Sequence, residues 1–203
     1  KDANWYSQFK HLKQKIGSEK GIIVSNDQFD LIMLQAFNLN SYVVQIVHDE
    51  YNLKLAKKFH QVVDKFIAHS NYFYERLKED LRDRQDDIVY IPYGIPISGK
   101  LRKCNLEKEL KLIFLGRLTR TKGIFDLKII NDEIQKKGVS VNWRVIGRGP
   151  DAQSLKDEWA GANNIEFFEP DGYEELTDLL VDGDVFVFPT KFEGFPVALF
   201  ETM

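Results

Sequence analysis

The sequence predicts an α/β protein made of two open parallel sheets covered by helices, and three observations lead there. Short apolar runs rich in Val, Ile and Phe alternate along the chain with stretches of helical periodicity, the pattern of strand–helix–strand units. The runs are near-continuous, which predicts strands buried on both faces. The alternation breaks once, at Pro92-Tyr93-Gly94-Ile95-Pro96-Ile97-Ser98-Gly99-Lys100, and a polar, charged stretch follows to Glu109.

Taken in order, a helix is expected from Trp5 to Ile16, because Trp5, Phe9, Leu12 and Ile16 fall on one face. Strands are expected at 21–24, 42–47, 65–68 and 88–91, with helices near 28–37, 53–63 and 71–82 between them. These form a first domain, residues 1–94, and the Pro/Gly-rich break makes residues 95–109 a linker. In residues 110–203 the alternation resumes with strands at 112–115, 141–146, 165–168 and 184–188 and helices near 123–136, 152–160 and 173–181. A last helix opens at Pro196, a residue suited to a first helical turn, and stops within two turns at Met203. The expectation is a chain truncated at both ends, with both domains incomplete.

Of the 203 residues, 43% are apolar and 29% charged, an ordinary balance for a globular protein. No run approaches the roughly 18 apolar residues that span a bilayer. The single cysteine, Cys104, excludes an internal disulfide and a cysteine-rich zinc site, and it fits a reducing compartment. A net charge of −3 gives no overall attraction for nucleic acid, so any anion site must be local.

In open α/β sheets ligands bind beyond the carboxyl ends of the strands, so the loops there carry the chemistry. Gly116 permits a turn after the strand at 112–115, and Arg117 and Lys122 flank that turn just before a helix, where backbone N–H groups favour anions. Arg suits forked contacts to phosphate and Lys supplies a mobile charge, although the spacing alone suits a solvated basic loop equally well. Gly147 and Gly149 allow close backbone approach, and Asp151 stands where it would cap the next helix; an ordinary turn has the same signature. Glu193 and Glu201 would be about 80° apart on one continuous helix. With Glu193 in a loop and Glu201 in the helix, both can serve one ligand as acceptors for hydroxyls; two surface glutamates at a helix start are the plain alternative. His48 follows an apolar strand, where a hydrogen-bonded structural role is the commoner one; His11, His60 and His69 carry a weaker signal.

In this order the motifs resemble the retaining GT-B glycosyltransferases, the large group 1 family with an E-x7-E element. The matching pieces are His48, Phe66-Ile67-Ala68-His69-Ser70, Ile91-Pro92-Tyr93-Gly94-Ile95, Gly116-Arg117-Leu118 with Lys122-Gly123, Gly147-Arg148-Gly149-Pro150, and Pro189-Thr190-Lys191-Phe192-Glu193-Gly194-Phe195 leading to Glu201. They cover nearly all of the chain beyond about residue 40. The resemblance implies two Rossmann-like domains whose parallel sheets face each other across a cleft, the first on the acceptor side and the second binding the donor. It implies transfer of a hexose from a UDP- or GDP-linked sugar to a glycan or lipid-linked acceptor, with retention and without a metal or other cofactor. Arg117 and Lys122 would hold the diphosphate, Glu193 with the N–H groups of Gly194 and Phe195 would contact the sugar, and Glu201 would take the ribose hydroxyls. His48 would lie near the reacting carbon, Gly116, Gly147 and Gly149 would line the nucleotide pocket, and Tyr173 would lie near the base. A cytoplasmic protein with peripheral contact at the inner membrane face, making surface polysaccharide, fits the family.

Two departures stand out. Tyr93 occupies a position where the family usually has Asn, and the glycine-rich loop expected after the first strand is absent. The competing readings are a non-catalytic nucleotide-sugar-binding domain, which needs Arg117, Lys122 and Glu201 but not His48, and a GT-B epimerase or phosphorylase. The Arg-x4-Lys pair together with the E-x7-E element favours the transferase.

Overall fold

The computed structural model describes residues 4–16, 20–37, 39, 41–96, 99, 109–191 and 193–203. Cys104, Phe192 and most of the expected linker lie outside these residues, as do the side chains of Trp5 and Leu12. The chain divides into two units, residues 1–94 and 95–203.

In the first unit, helix α1 (Trp5–Ile16) precedes four strands, β1 (Gly21–Ser25), β2 (Ser41–Val47), β3 (Lys65–Ala68) and β4 (Ile88–Tyr90). All pair in parallel in the order β1-β2-β3-β4, with helices α2 (Gln28–Phe37), α3 (Glu50–Phe59) and α4 (Asn71–Asp80) as the crossovers. Helix α3 starts three residues before the expected Leu53, because the Asp49 carboxylate accepts the Asn52 N–H at 2.7 Å and caps it. Ser70 caps α4 in the same way through the Phe73 N–H. The core gathers Leu31, Val43, Val47, Leu53, Phe66 and Leu77 from strands and helices. Burial alternates along β2 and β3, and Ile22, Val24 and Tyr42 are exposed. The expectation of strands buried on both faces therefore fails in this sheet: apolar runs suit a half-covered parallel sheet as well as a fully covered one.

In the second unit the expectation holds for the central strand. Strands β5 (Leu110–Leu115), β6 (Val141–Ile146), β7 (Ile165–Phe168) and β8 (Val185–Phe186) form a parallel sheet in the order β7-β6-β5-β8. Helices α5 (Asp126–Lys136), α6 (Ala152–Glu158) and α7 (Tyr173–Val181) connect them, and α8 (Val197–Glu201) follows β8. Leu112 and Phe114 pack with Leu127, Leu155 and Trp159 on one face of β5, while Ile113 and Leu115 pack with residues of α7 on the other. Strand β8 is two residues long, shorter than the apolar run at 184–188 predicts. Among the described residues no helix is long and apolar enough to cross a membrane.

The chain runs outward in one direction from β5 through β6 to β7, then returns to the other side of β5 as β8. That reversal between β5 and β8 is a topological switch point, and the crevice outside the carboxyl ends of the two strands is where such sheets take ligands.

Candidate functional site

Three loops meet at the carboxyl edge of the second sheet. After β5 the chain passes Gly116 and Arg117, makes one 3-10 turn over Arg120–Lys122 and enters α5 through Gly123. The loop after β6 is clasped to it: Leu118 N–H donates to the Arg148 carbonyl at 2.8 Å, and Asp151 N–H to the Leu118 carbonyl at 3.2 Å. The loop after β8 closes the other side, with Lys191 N–H donating to the Thr121 carbonyl at 3.1 Å.

Three glycines are required by this clasp. Gly147 has φ 144, and a Cβ there would stand 1.9 Å from the Gly116 carbonyl oxygen. At Gly123, φ is 71 and a Cβ would stand 2.1 Å from the Pro189 carbonyl oxygen. Gly149 is equally confined, against the Leu118 carbonyl at 2.2 Å. The backbone that these positions allow to approach is the protein's own. Asp151 departs from expectation: it makes no side-chain cap on α6, and its carboxylate accepts the Arg120 N–H at 2.9 Å, bracing the 3-10 turn from the neighbouring loop. Local sequence carries no signal for that bond, which joins residues 31 positions apart.

The switch-point crevice brings Lys122 and Glu193 together, with Nζ 2.6 Å from Oε1 and side chains 25% and 19% exposed. Arg117 on the same loop is exposed, and among the described residues its guanidinium makes no hydrogen bond or ion pair. Gly194 and Phe195 follow Glu193 and are half-buried, and the Phe195 ring stacks on Phe200 at 4.9 Å. Glu201 stands on α8 and Glu193 in the loop before it, so the two do not share a helix. Burial pushes the Glu201 carboxyl above its ordinary value. Tyr173 opens α7, and its hydroxyl donates to the Pro96 carbonyl at 2.9 Å. Arg148 turns to the loop after β7, where it meets Asp171 at 2.7 Å and Glu169 at 3.3 Å.

In the first unit, His48 leaves the end of β2 with Nε2 3.8 Å from the Asp49 carboxylate. Its Nδ1 is buried, without a hydrogen-bond partner among the described residues. His69, given little weight in the sequence, is held firmly: Nδ1 lies 2.6 Å from the Ile91 carbonyl, and the ring lies against Tyr93, tilted by 32° with centroids 3.9 Å apart. Its position directly after a strand and its place in the matching piece Phe66-Ile67-Ala68-His69-Ser70 are the signals that mark it.

Among the described residues no cluster of three or more His, Cys, Asp or Glu is arranged to hold a metal ion. A cavity of about 530 Å³, lined by Glu109, Gln135, Ser140, Asn142 and Asn164, opens at the opposite, amino-terminal edge of the second sheet, away from Lys122 and Glu193.

Solved structures with this fold are numerous. A pneumococcal O-GlcNAc transferase, GtfA, in complex with UDP and GlcNAc, superposes with a TM-score of 0.72 at 18% identity, over 97% of this chain and 42% of its own. A variant of TarM from S. aureus, in complex with Fondaparinux, alpha-GlcNAc-glycerol and UDP, gives 0.75 at 15% identity over 98% and 42%. HepE of Anabaena, in complex with UDP and glucose, gives 0.71 at 16% identity over 96% and 59%. The fold is therefore GT-B. In sequence, the chain is 26% identical over 129 residues to TuaC of Bacillus subtilis (strain 168), named as a teichuronic acid biosynthesis glycosyltransferase. That match takes in 64% of this chain and 26% of TuaC, so the chain spans a fraction of the length of these relatives. The family model for Glycosyl transferases group 1 matches residues 100–203, just over half of the chain and the whole of the three clasped loops, and the chain belongs to that family.

Proposed function

We propose that this chain is part of a glycosyltransferase that moves a hexose from a nucleotide-diphosphate sugar, UDP- or GDP-linked, to a glycan or lipid-linked acceptor with retention of configuration. The observation that carries the reading is the Lys122–Glu193 pair at the switch point, with the exposed Arg117 beside it. A diphosphate needs cations, a sugar needs a hydroxyl acceptor, and this crevice supplies both within one contact. The UDP and sugar in the GtfA and HepE complexes support a UDP-linked hexose.

In the proposed reaction an acceptor hydroxyl oxygen bonds to the anomeric carbon as the bond from that carbon to the β-phosphate oxygen breaks. The leaving nucleotide diphosphate takes the electron pair and, on the same face of the sugar, the acceptor's proton. Arg117 and Lys122 stabilise the charge that develops there, the neutralising role a metal would otherwise fill. Glu193 and the N–H groups of Gly194 and Phe195 orient the sugar, and Glu201 accepts from the ribose hydroxyls. His48 acts at the transfer centre, Gly116, Gly147 and Gly149 shape the nucleotide pocket, and Tyr173 contacts the base.

Calorimetric titration of UDP-, GDP- and ADP-sugars into the full-length protein tests this reading. One nucleotide sugar binds, and the Arg117→Ala/Lys122→Ala double variant loses it. Absence of binding to any of the three by folded protein overturns the donor site. His48→Ala separates catalysis from mere binding, because it lowers kcat and leaves donor affinity unchanged; if the wild-type protein binds donor and neither transfers nor hydrolyses it, the chain belongs to a binding module.

A further inference from the structure

Two carboxamides are buried in the first unit, where packing alone asks for apolar side chains. Gln45 on β2 is 0% exposed and Asn52 on α3 is 1% exposed. Each leaves its side-chain oxygen, Gln45 Oε1 and Asn52 Oδ1, buried without a hydrogen-bond partner among the described residues. An unsatisfied buried oxygen costs stability relative to an apolar side chain of similar size, so packing does not account for the pair. What the pair provides is a fixed helix start. Asn52 Nδ2 donates to the Asn26 carbonyl at 2.6 Å, tying α3 to the loop after β1 across 26 residues of chain. Gln45 Nε2 donates to the Asn52 carbonyl at 3.2 Å, and the Asn52 N–H donates to Asp49 Oδ1 at 2.7 Å. The first turn of α3 is therefore held from the neighbouring loop, from β2 and from its own cap.

His48 lies between that turn and the end of β2. Its ring makes no hydrogen bond among the described residues: Nδ1 is buried without a partner, and Nε2 stands 3.8 Å from Asp49 Oδ2, beyond hydrogen-bonding reach. The place of the ring is accordingly set by the backbone that carries it. On one side Val47 fixes that backbone through its pairing with Ala68, and on the other Asp49 fixes it through the bond to Asn52. The same Asp49 carboxylate turns one oxygen to the Asn52 N–H and the other toward the ring. We propose that Asn52 is a positioning residue for His48, holding the turn that carries it by way of the bond to Asn26. The proposal rests on the glycosyltransferase reading above and adds to it a buried residue that touches no substrate. Replacing Asn52 with leucine isolates this role. Asn26 is exposed, so water takes over its carbonyl, and Gln45 keeps its bond to the backbone carbonyl of residue 52.

Full-length protein carrying isotope-labelled histidine tests it by nuclear magnetic resonance, alongside donor calorimetry and steady-state transfer kinetics. His48 gives one ring resonance, identified by its absence from His48→Ala. Asn52→Leu splits or broadens that resonance and lowers kcat roughly tenfold or more, the scale of a misplaced catalytic group, while donor affinity is unchanged. In the His48→Ala background Asn52→Leu costs no further activity, the coupling expected of residues that act as a unit. If Asn52→Leu fails to fold by circular dichroism, Asn52→Ala, which removes the same amide without added bulk, decides instead. An unchanged His48 resonance overturns the proposal, as does a loss of kcat that is equal with and without His48. In a protein that binds no donor, or whose transfer survives His48→Ala, the resonance alone decides whether Asn52 positions His48. The transferase reading, or its use of His48, is then what fails.

Discussion

At the scale of single residues, Lys122 and Glu193 have opposite charges and separate tasks. They satisfy one another at 2.6 Å. In the proposed complex Lys122 turns part of its charge to the diphosphate, and because that charge grows as the bond breaks, its loss is felt in kcat. Lys122→Ala lowers kcat by about 10²–10³, the usual result of removing one preorganised donor to a developing anion, with a smaller effect on KM. Steady-state kinetics on the full-length protein checks this. Glu201 gives a pH signature. Burial raises its carboxyl above the ordinary glutamate value of 4.5, so the folded chain holds that proton more tightly than the unfolded chain does. Its contribution to stability is complete below the unfolded value and is lost as pH rises through the folded one. In the proposed complex Glu201 accepts ribose hydroxyls, which favours the ionised form, so donor affinity falls as pH drops through a point above 4.5, and Glu201→Gln abolishes that inflection. Calorimetry across the pH range reads both curves. The sequence held the identity of these residues but not their partners. Nothing local links Asp151 to the Arg120 N–H, and the ring contact of Tyr93 with His69 joins the ends of two different strands.

At the scale of elements, alternation between apolar runs and helical periods was enough to place every strand, because a parallel strand carries its signal in its own composition. The boundaries moved where a cap or a register bond acted. Asp49 draws α3 back to Glu50, and β8 shrinks to two residues because its ladder to β5 pairs only Leu112 with Val185 and Ile113 with Phe186. The loops are where a single methyl group matters most. Gly147→Ala forces the loops after β5 and β6 apart, since its Cβ would overlap the Gly116 carbonyl, and it costs roughly 3 kcal/mol or more in urea unfolding. Under the second sheet, the buried Asn131 on α5 accepts from Trp143 Nε1 at 3.1 Å and from Asn164 Nδ2 at 3.0 Å. Asn131→Leu strands the buried Trp143 N–H, while Asn164 keeps its bond to the Val141 carbonyl, and it destabilises the protein by about 2 kcal/mol in the same assay, leaving the clasped loops intact.

At the scale of the whole molecule, the sequence announced two parallel sheets but not the order of their strands. The first sheet follows chain order, while the second reverses at β5, and composition has no means of recording a reversal. The reversal is what brings the loops at 116–123 and 187–196 to one crevice. The loops proposed to bind donor all belong to the second unit, so on that proposal donor binding stabilises that unit. A hundredfold excess over Kd adds about 2.7 kcal/mol, and hydrogen exchange resolves it as slowed amides within residues 110–203. In the proposed chemistry the cations are side chains, so a chelator leaves the activity of the full-length enzyme unchanged; loss of activity in EDTA restored by a divalent ion would count against Arg117 and Lys122 in that role.

The two-residue β8 also has a kinetic consequence. Glu193 reaches Lys122 across 71 residues of chain, and the strand that delivers it is fastened to β5 by only two paired positions. Closing a loop that long brings entropic cost before any contact rewards it, so the β5–β6–β7 sheet can form while β8 is still searching. The crevice is then the last part of the second unit to assemble during refolding and the first to open. The order of four strands thus predicts an intermediate whose β5–β6–β7 sheet is paired while Phe186 and Val187 have still to pack and Lys122 still lacks Glu193.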